Sequence, residues 1–282
     1  MDYLSGIHVV STALNLPGPA ACARLRELGA RVTKVEPPAG DPFEAYCPAW
    51  YARLHSATEV RRIDLKSDAG QAAIGELLAG ADLLITAQRK SALERMGLDG
   101  AALSRRHPQL CHVAITGHAA PDEDVAGHDL TYLAAHGLVR PPQMPATLFA
   151  DMAGAERAVS TALALLLAKR RSGLGASQPV ALEDGARALA EPLHEGLTAP
   201  GAILGGGLAG YNLYAAREGW IAVAALEAHF ARRLADALGL ASLEVAALRE
   251  RFAADTAESW QRWARDKDLP IVAVRLPPGK TP

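Results

Sequence analysis

Two short β-type runs flank a helical stretch near the start of the chain, and that order restricts the fold more than any other feature. Val9-Val10 opens the first run, which Pro17-Gly18-Pro19 ends. From Ala20 to Leu28, the residues Cys22, Leu25 and Leu28 recur at helical spacing, and Gly29 closes the stretch. Arg31 to Val35 reads as a second strand, stopped by Pro37-Pro38. Strand, helix and strand with short connections form a βαβ unit, whose crossover joins parallel strands. The alternation continues with a helix over Ala69–Leu78, a strand over Leu83–Ile85, a helix over Leu98–Arg106 and a strand over Cys111–Ile115. The expected fold class is α/β, with a Rossmann-like parallel-sheet large domain and a smaller α/β domain after it.

A helix is expected from Asp129 to Leu138, between the acidic loop Pro121–Asp124 and the breaker cluster Pro141–Pro145. A long helix, Met152–Arg170, follows with Asp151 at its N-cap. Thr198–Gly210 is glycine-rich and reads as a loop or hinge, which sets the domains at residues 1–200 and 201–282. The second contains a strand at Trp220–Ala224, helices at Ala228–Leu238, Leu243–Phe252 and Ala257–Asp266, and a last strand at Ile271–Val274.

Composition removes several classes of function. A formal net charge of −2 over 282 residues gives no electrostatic footprint for nucleic acid or an anionic membrane. The longest apolar stretch, Ala158–Ala168, is too short to span a bilayer and reads as a buried helix. Met1-Asp2-Tyr3 lacks the basic-then-apolar layout of a signal peptide. Cys22, Cys47 and Cys111 are widely spaced and form no CxxC pair, so a reducing cytoplasm is the expected compartment and no metal site is expected. No GxGxxG follows the first strand and no GxSxG occurs, which leaves a dinucleotide cofactor and a serine hydrolase unsupported.

Three clusters place polar side chains where a loop or strand meets a helix start: Gly127-His128-Asp129, Ala150-Asp151-Met152-Ala153-Gly154 and Ala225-Leu226-Glu227. Such junctions face the ligand crevice of open α/β sheets. Each residue also has an ordinary structural role. Asp151 and Asp129 suit helix caps, His128 suits a position beside a cap, and Glu227 suits a first turn favoured by the helix dipole. Residue pattern alone yields an α/β enzyme of open reaction type.

Taken in order, the clusters resemble the class III CoA-transferase superfamily, which includes the α-methylacyl-CoA racemases. The resemblance runs from Leu4 to about Arg275. It is carried by Leu4-Ser5-Gly6-Ile7, Pro17-Gly18-Pro19, Leu28-Gly29-Ala30-Arg31-Val32, Lys34-Val35-Glu36-Pro37-Pro38 and Gly40-Asp41-Pro42. Ile63-Asp64-Leu65-Lys66, Leu93-Glu94-Arg95-Met96-Gly97-Leu98 and the turn with Arg170, Gly173 and Gly175 also match. The stretch from Gly127 to Tyr132 is similar to the racemase branch in particular. There the residue matching His128 is an acid/base group for the α-carbon, and the one matching Glu227 supports it. The aspartate matching Asp151 is the second acid/base in racemases and the nucleophile in transferases.

The resemblance implies an acyl-CoA thioester as substrate, no cofactor beyond coenzyme A, no metal, and a homodimer that in relatives is interlocked. Racemisation needs a base on each face of the α-carbon, one protonated while the other is not. Backbone N–H groups at the Asp151 helix start are the expected donors to an enolate oxygen. Several basic residues that hold CoA phosphates in relatives are replaced: the chain has His55-Ser56-Ala57-Thr58, Pro37 and Ala87-Gln88-Arg89-Lys90-Ser91 at those places. Arg89, Lys90 and Asp129 are the remaining candidates for holding CoA, the two cations as charge-assisted phosphate donors. The small domain is shortened, since relatives continue beyond the point matching Arg275 with a tail that returns to the large domain. Three readings stand: α-proton transfer on a 2-methylacyl-CoA-like thioester, CoA transfer between carboxylic acids through Asp151, and a non-catalytic CoA-binding or regulatory subunit.

Overall fold

The computed structural model describes residues 2–275. They fall into two compact units, Met1–Ala190 and Glu191–Pro282, so the division lies somewhat before the glycine-rich segment.

The first unit is built on six parallel strands. In chain order these are β1 (His8–Ser11), β2 (Arg31–Glu36), β3 (Glu59–Arg62), β4 (Leu83–Thr86), β5 (Cys111–Thr116) and β6 (Ser177–Ala181). Their order across the sheet is β3-β2-β1-β4-β5-β6, with every neighbouring pair parallel. This is the doubly wound arrangement that the βαβ pattern implied. The chain reverses its direction of travel between β1 and β4, and the crevice beyond their carboxyl ends is where such sheets bind ligands.

The central strands β1 and β4 are buried along their whole length, as strands covered on both faces must be. On one face Val9, Val32, Leu83, Ile85 and Val113 pack against Cys22 and Leu25 of α1 (Pro17–Glu27) and Ala158, Ala162 and Leu166 of a later helix. On the other, Val10, Val35 and Leu84 meet Ile74, Leu78, Leu93 and Leu103. These come from α4 (Asp68–Ala79), α5 (Lys90–Met96) and α6 (Gly100–Arg106). Two short helices, α2 (Pro42–Tyr46) and α3 (Pro48–Leu54), lead into β3. Among the described residues no helix is long and apolar enough to cross a membrane.

Three elements of this unit had no clear sequence signal. In β3 all four residues, Arg61 and Arg62 among them, are exposed, so no hydrophobic alternation marks this edge strand. The other edge, β6, carries Pro179, which a strand tolerates where no neighbour needs its missing N–H. Helix α5 buries only Leu93. Leucines 163 and 167 are exposed, so the apolar run from 158 to 168 buries one face of its helix and not its whole circumference.

After α7 (Asp129–Ala135), shorter than expected, comes α8 (Phe149–Ser172) and then α9 (Leu182–His194). Helix α8 starts at Phe149 with Leu148 as its N-cap, which corrects the placement of Asp151: it lies inside the first turn and does not cap the helix. The capping work is done from outside. Asp129 Oδ1 accepts the backbone N–H of Asp151 at 3.0 Å, satisfying one of the N–H groups a helix start leaves without a partner. Once that group is satisfied, the helix can begin earlier than its own sequence indicates.

The second unit carries an antiparallel sheet, β7 (Tyr211–Ala215), β8 (Trp220–Ala224) and β9 (Ile271–Ala273), in that spatial order. Tyr214, Ile221, Val223 and Ile271 pack against Leu234, Leu248 and Phe252. The helical residues belong to α10 (Ala228–Leu238) and α11 (Val245–Phe252), and α12 (Ala257–Asp266) adds Ala257 and Ala264 to the same core. Part of the glycine-rich segment, Ile203–Gly207, forms an irregular helical turn where a loop was expected. Cys22 and Cys111 are buried, Cys47 is half-buried, and all three are free thiols.

Candidate active site

A cleft of about 520 Å3 opens at the carboxyl end of the parallel sheet. Its walls are the segment after β1 (Leu14, Asn15, Pro17), the segment after β4 (Gln88, Arg89), the loop before α7 (Val125, Gly127, His128) and the start of α8 (Leu148, Asp151). Phe43 and Tyr46 of α2 close one side, and Tyr132 and Leu182 line it further. The cleft therefore sits at the switch point between β1 and β4. Gln88 fixes the spacing there: its Nε2 donates to Thr12 O at 2.7 Å, and its Oε1 accepts from Thr12 Oγ1 at 2.9 Å.

Asp151 is the most perturbed carboxyl of the cleft. Burial, and then the charge of Asp129, push its pKa up to about 7. A buried carboxylate loses hydration, and a second carboxylate nearby further disfavours its charge. Asp129 is buried, with its Oδ1 turned to the α8 N-terminus. In the cleft it holds the start of α8, and its charge adds to the rise of the Asp151 carboxyl.

His128 is exposed at the N-cap of α7. Its backbone N–H donates to Thr131 Oγ1 at 3.0 Å, and the same hydroxyl donates to the His128 carbonyl at 2.7 Å. The main chain is pinned while the ring remains at the cleft wall. The glycine before it has a steric reason: a Cβ on Gly127 would lie 2.5 Å from Tyr132 Cε1. Tyr132 is buried beneath the loop, and burial followed by the charge of Asp151 pushes its phenol up to about 12. It is a neutral floor to the site.

The sequence-predicted residues divide as follows. His128, Asp129, Asp151 and Arg89 line one cleft. Lys90 does not line it; its ammonium lies 3.5 Å from Glu123 Oε1, in the acidic loop. That loop docks on the start of α5, where Asp124 Oδ1 accepts from the N–H and the hydroxyl of Ser91. Glu227 is in the second unit, exposed at the N-cap of α10 with no capping bond from its side chain. A shallow hollow of about 560 Å3 in that unit is lined by His229, Arg232, Arg233, Asp236 and Ala237, all of α10. No second element encloses it.

Asn15, Tyr46 and Gln88 line the cleft without having been singled out from sequence. Asn15 adopts φ +62°, a turn conformation that asparagine tolerates better than most residues. Behind them is a buried charge cluster. Lys34 Nζ lies 2.5 Å from Asp41 Oδ2, 3.1 Å from Glu36 Oε1 and 2.9 Å from His55 Nε2. Burial and the Lys34 charge hold the His55 imidazole below its usual range, so it acts as a neutral acceptor. His55 is thus engaged with Lys34.

The switch-point cleft of this open parallel sheet gathers a carboxyl raised towards neutrality, an imidazole and a guanidinium, groups of the kind that acid/base or acyl-transfer chemistry uses. The chain belongs to CoA-transferase family III, whose model it matches over residues 4–278. It is 29% identical to human alpha-methylacyl-CoA racemase over 262 residues, which are 86% of this chain and 66% of the racemase. A cinnamoyl-CoA:phenyllactate CoA-transferase from Clostridium sporogenes is 34% identical over 149 residues, 48% of this chain and 36% of that protein. A succinate–glutarate CoA-transferase from Agrobacterium fabrum is 31% identical over 204 residues, covering 64% and 51%. The chain thus spans between 36% and 66% of the length of these curated relatives. The fold is shared with a CaiB/BaiF family protein from Brucella suis at TM-score 0.82 and 23% identity, covering 97% of this chain and 84% of that one.

Proposed function

We propose that the cleft takes an acyl-CoA thioester and moves the proton on its α-carbon, with Asp151 and His128 as the two acid/base groups. The observation that carries this reading is a carboxyl poised at about 7 in the same cleft as an imidazole. A group whose pKa lies near the working pH serves as base in one direction and acid in the other. In one half-reaction the Asp151 carboxylate takes the α-proton and the C–H electron pair passes into the enolate. Protonated His128 then delivers a proton to the opposite face. The reverse sequence regenerates the starting configuration. Arg89, at the cleft rim, supplies a guanidinium for a CoA phosphate.

Glu227 is the proposed support of His128, by analogy with the racemase relatives. The enzyme is proposed to work as a homodimer in a reducing cytoplasm, in keeping with three free thiols.

The two CoA-transferase relatives favour a second reading at the same residue. Here the Asp151 carboxylate attacks the thioester carbonyl, the C–S bond breaks, and CoA thiolate leaves with the electron pair, giving a mixed anhydride. The thiolate then attacks the aspartyl carbonyl, the anhydride C–O bond breaks and the first carboxylate leaves, with CoA now on Asp151; the acceptor carboxylate repeats the two steps in reverse, taking CoA and freeing the Asp151 carboxylate.

One experiment separates them. The protein is incubated with a 2-methylacyl-CoA in deuterated water, and α-deuterium is followed by mass spectrometry. Exchange lost in both Asp151→Ala and His128→Ala supports proton transfer. Absent exchange, with hydroxylamine-sensitive labelling at Asp151, supports CoA transfer. Absence of both, together with no CoA binding, assigns a non-catalytic role.

A further inference from the structure

Enolate formation places negative charge on the thioester oxygen, and that charge needs a donor. The backbone N–H groups at the start of α8 are the obvious source, but the N–H of Asp151 already donates to Asp129 Oδ1. A different donor lines the same cleft. Asn15 is fixed at three points: its N–H donates to Asp41 Oδ1 at 3.0 Å, its Oδ1 accepts the Tyr46 hydroxyl at 2.5 Å, and its backbone turns at φ +62°. Asp41 is in turn held by buried Lys34 and by the Phe43 N–H, so the anchor is rigid. With Oδ1 occupied, the amide N–H groups of Asn15 have no protein partner among the described residues, and Asn15 lines the same cleft as Asp151. The two walls are electrostatically close: partial burial and the charges of Asp41 and Asp151 all raise the Tyr46 phenol.

Resting on the reading that an acyl-CoA lies against Asp151, we propose that the Asn15 amide donates to the thioester oxygen, with Tyr46 as the residue that orients it. A neutral donor suits this place. It strengthens as the oxygen becomes anionic, and it does not form an ion pair with Asp151 that would keep the base from working.

The test uses two probes on wild type, Asn15→Gly, Asn15→Asp and Tyr46→Phe. Glycine and aspartate both accept positive φ, so the turn is preserved. Asp keeps the acceptor for Tyr46 while removing the donor. The first probe is α-proton exchange of a 2-methylacyl-CoA. Both Asn15 variants are expected to lower kcat by about 10²–10³-fold with KM little changed, the size of losing one oxyanion donor. Tyr46→Phe is expected to lower it by about tenfold, because the amide remains but is no longer oriented. The second probe is acetoacetyl-CoA, whose enolate absorbance reports oxyanion stabilisation without turnover. The bound enolate should form at lower pH in wild type than in Asn15→Gly. If wild type shows Asn15-dependent enolate absorbance but exchanges no α-proton, the proton-transfer reading fails and the donor assignment stands. If wild type stabilises no enolate, or if Asn15→Gly matches wild type with both probes, the assignment is overturned.

Discussion

Asp129 accepts the backbone N–H of Asp151 at 3.0 Å, and its charge joins burial in pushing the Asp151 carboxyl up to about 7. One carboxylate thus holds the helix that carries Asp151 and adds to the rise in its proton affinity. An acceptor without charge would do only the first.

That distinction can be measured. Asp129→Asn keeps an oxygen for the Asp151 N–H and removes the charge, so the Asp151 pKa falls, but only in part, since burial is the larger cause. The limb of the pH–rate profile on which Asp151 becomes protonated moves to lower pH. Asp129→Ala removes the acceptor as well and costs stability of about 1 kcal/mol, the usual worth of a cap. The pH dependence of α-deuterium exchange and denaturant unfolding read the two effects separately.

Asp151 has a stability signature with a defined sign. Its folded pKa, about 7, lies above its ordinary value of 3.8, so between these the folded state binds more protons than the unfolded chain. Stability from this group is present below pH 4 and lost as pH rises to 7. Asp151→Asn is therefore expected to be as stable as wild type near pH 4 and more stable at pH 7, by at most about 4 kcal/mol. Urea unfolding at the two pH values checks it; a gain equal at both would show that charge is not the cause.

Gly127→Ala should lower turnover while leaving the protein folded. The added Cβ would lie 2.5 Å from the Tyr132 ring, which must shift and carry the His128 loop with it. The expected loss in kcat is about 10²-fold, the cost of a displacement of the order of 1 Å at a catalytic group. Circular dichroism alongside kinetics separates this from unfolding.

Lys34→Met leaves Asp41 and Glu36 buried without their cation. Removing one partner of a buried ion pair costs about 3–5 kcal/mol. The midpoint of urea unfolding should fall accordingly, and Asn15 should lose its anchor.

Arg89 and Lys90 should behave differently although they are adjacent. Arg89→Gln is expected to raise KM for an acyl-CoA about tenfold, whereas Lys90→Gln, at a residue directed to Glu123, should change it by less than about twofold.

Much of the first unit was legible in the sequence because its signals are local. Gly29 marks the end of α1, whose start lies at Pro17, three residues before the expected Ala20, because proline fits the first helical turn; the runs of β1, β2, β4 and β5 read as strands of a parallel sheet. The edge strands β3 and β6 were not legible, since a strand paired on one side needs no apolar pattern. His128, Asp129 and Asp151 could be named from their motifs, and Arg89 from the stretch Ala87–Ser91 through the family resemblance.

What the sequence by itself determined is the βαβ order, the parallel sheet that order requires, and the residue types available at its carboxyl end. Only the tertiary structure decided what those residues do to one another. Asp129 and Asp151 are separated in the chain by a loop and a helix, and no local rule says that one will cap the other's helix. Nor does any local rule direct Lys90 to Glu123 or Tyr46 to Asn15. Propensity and periodicity act between neighbours in sequence, whereas desolvation and Coulomb interaction act between neighbours in space. The proton affinity of Asp151 belongs to the second kind.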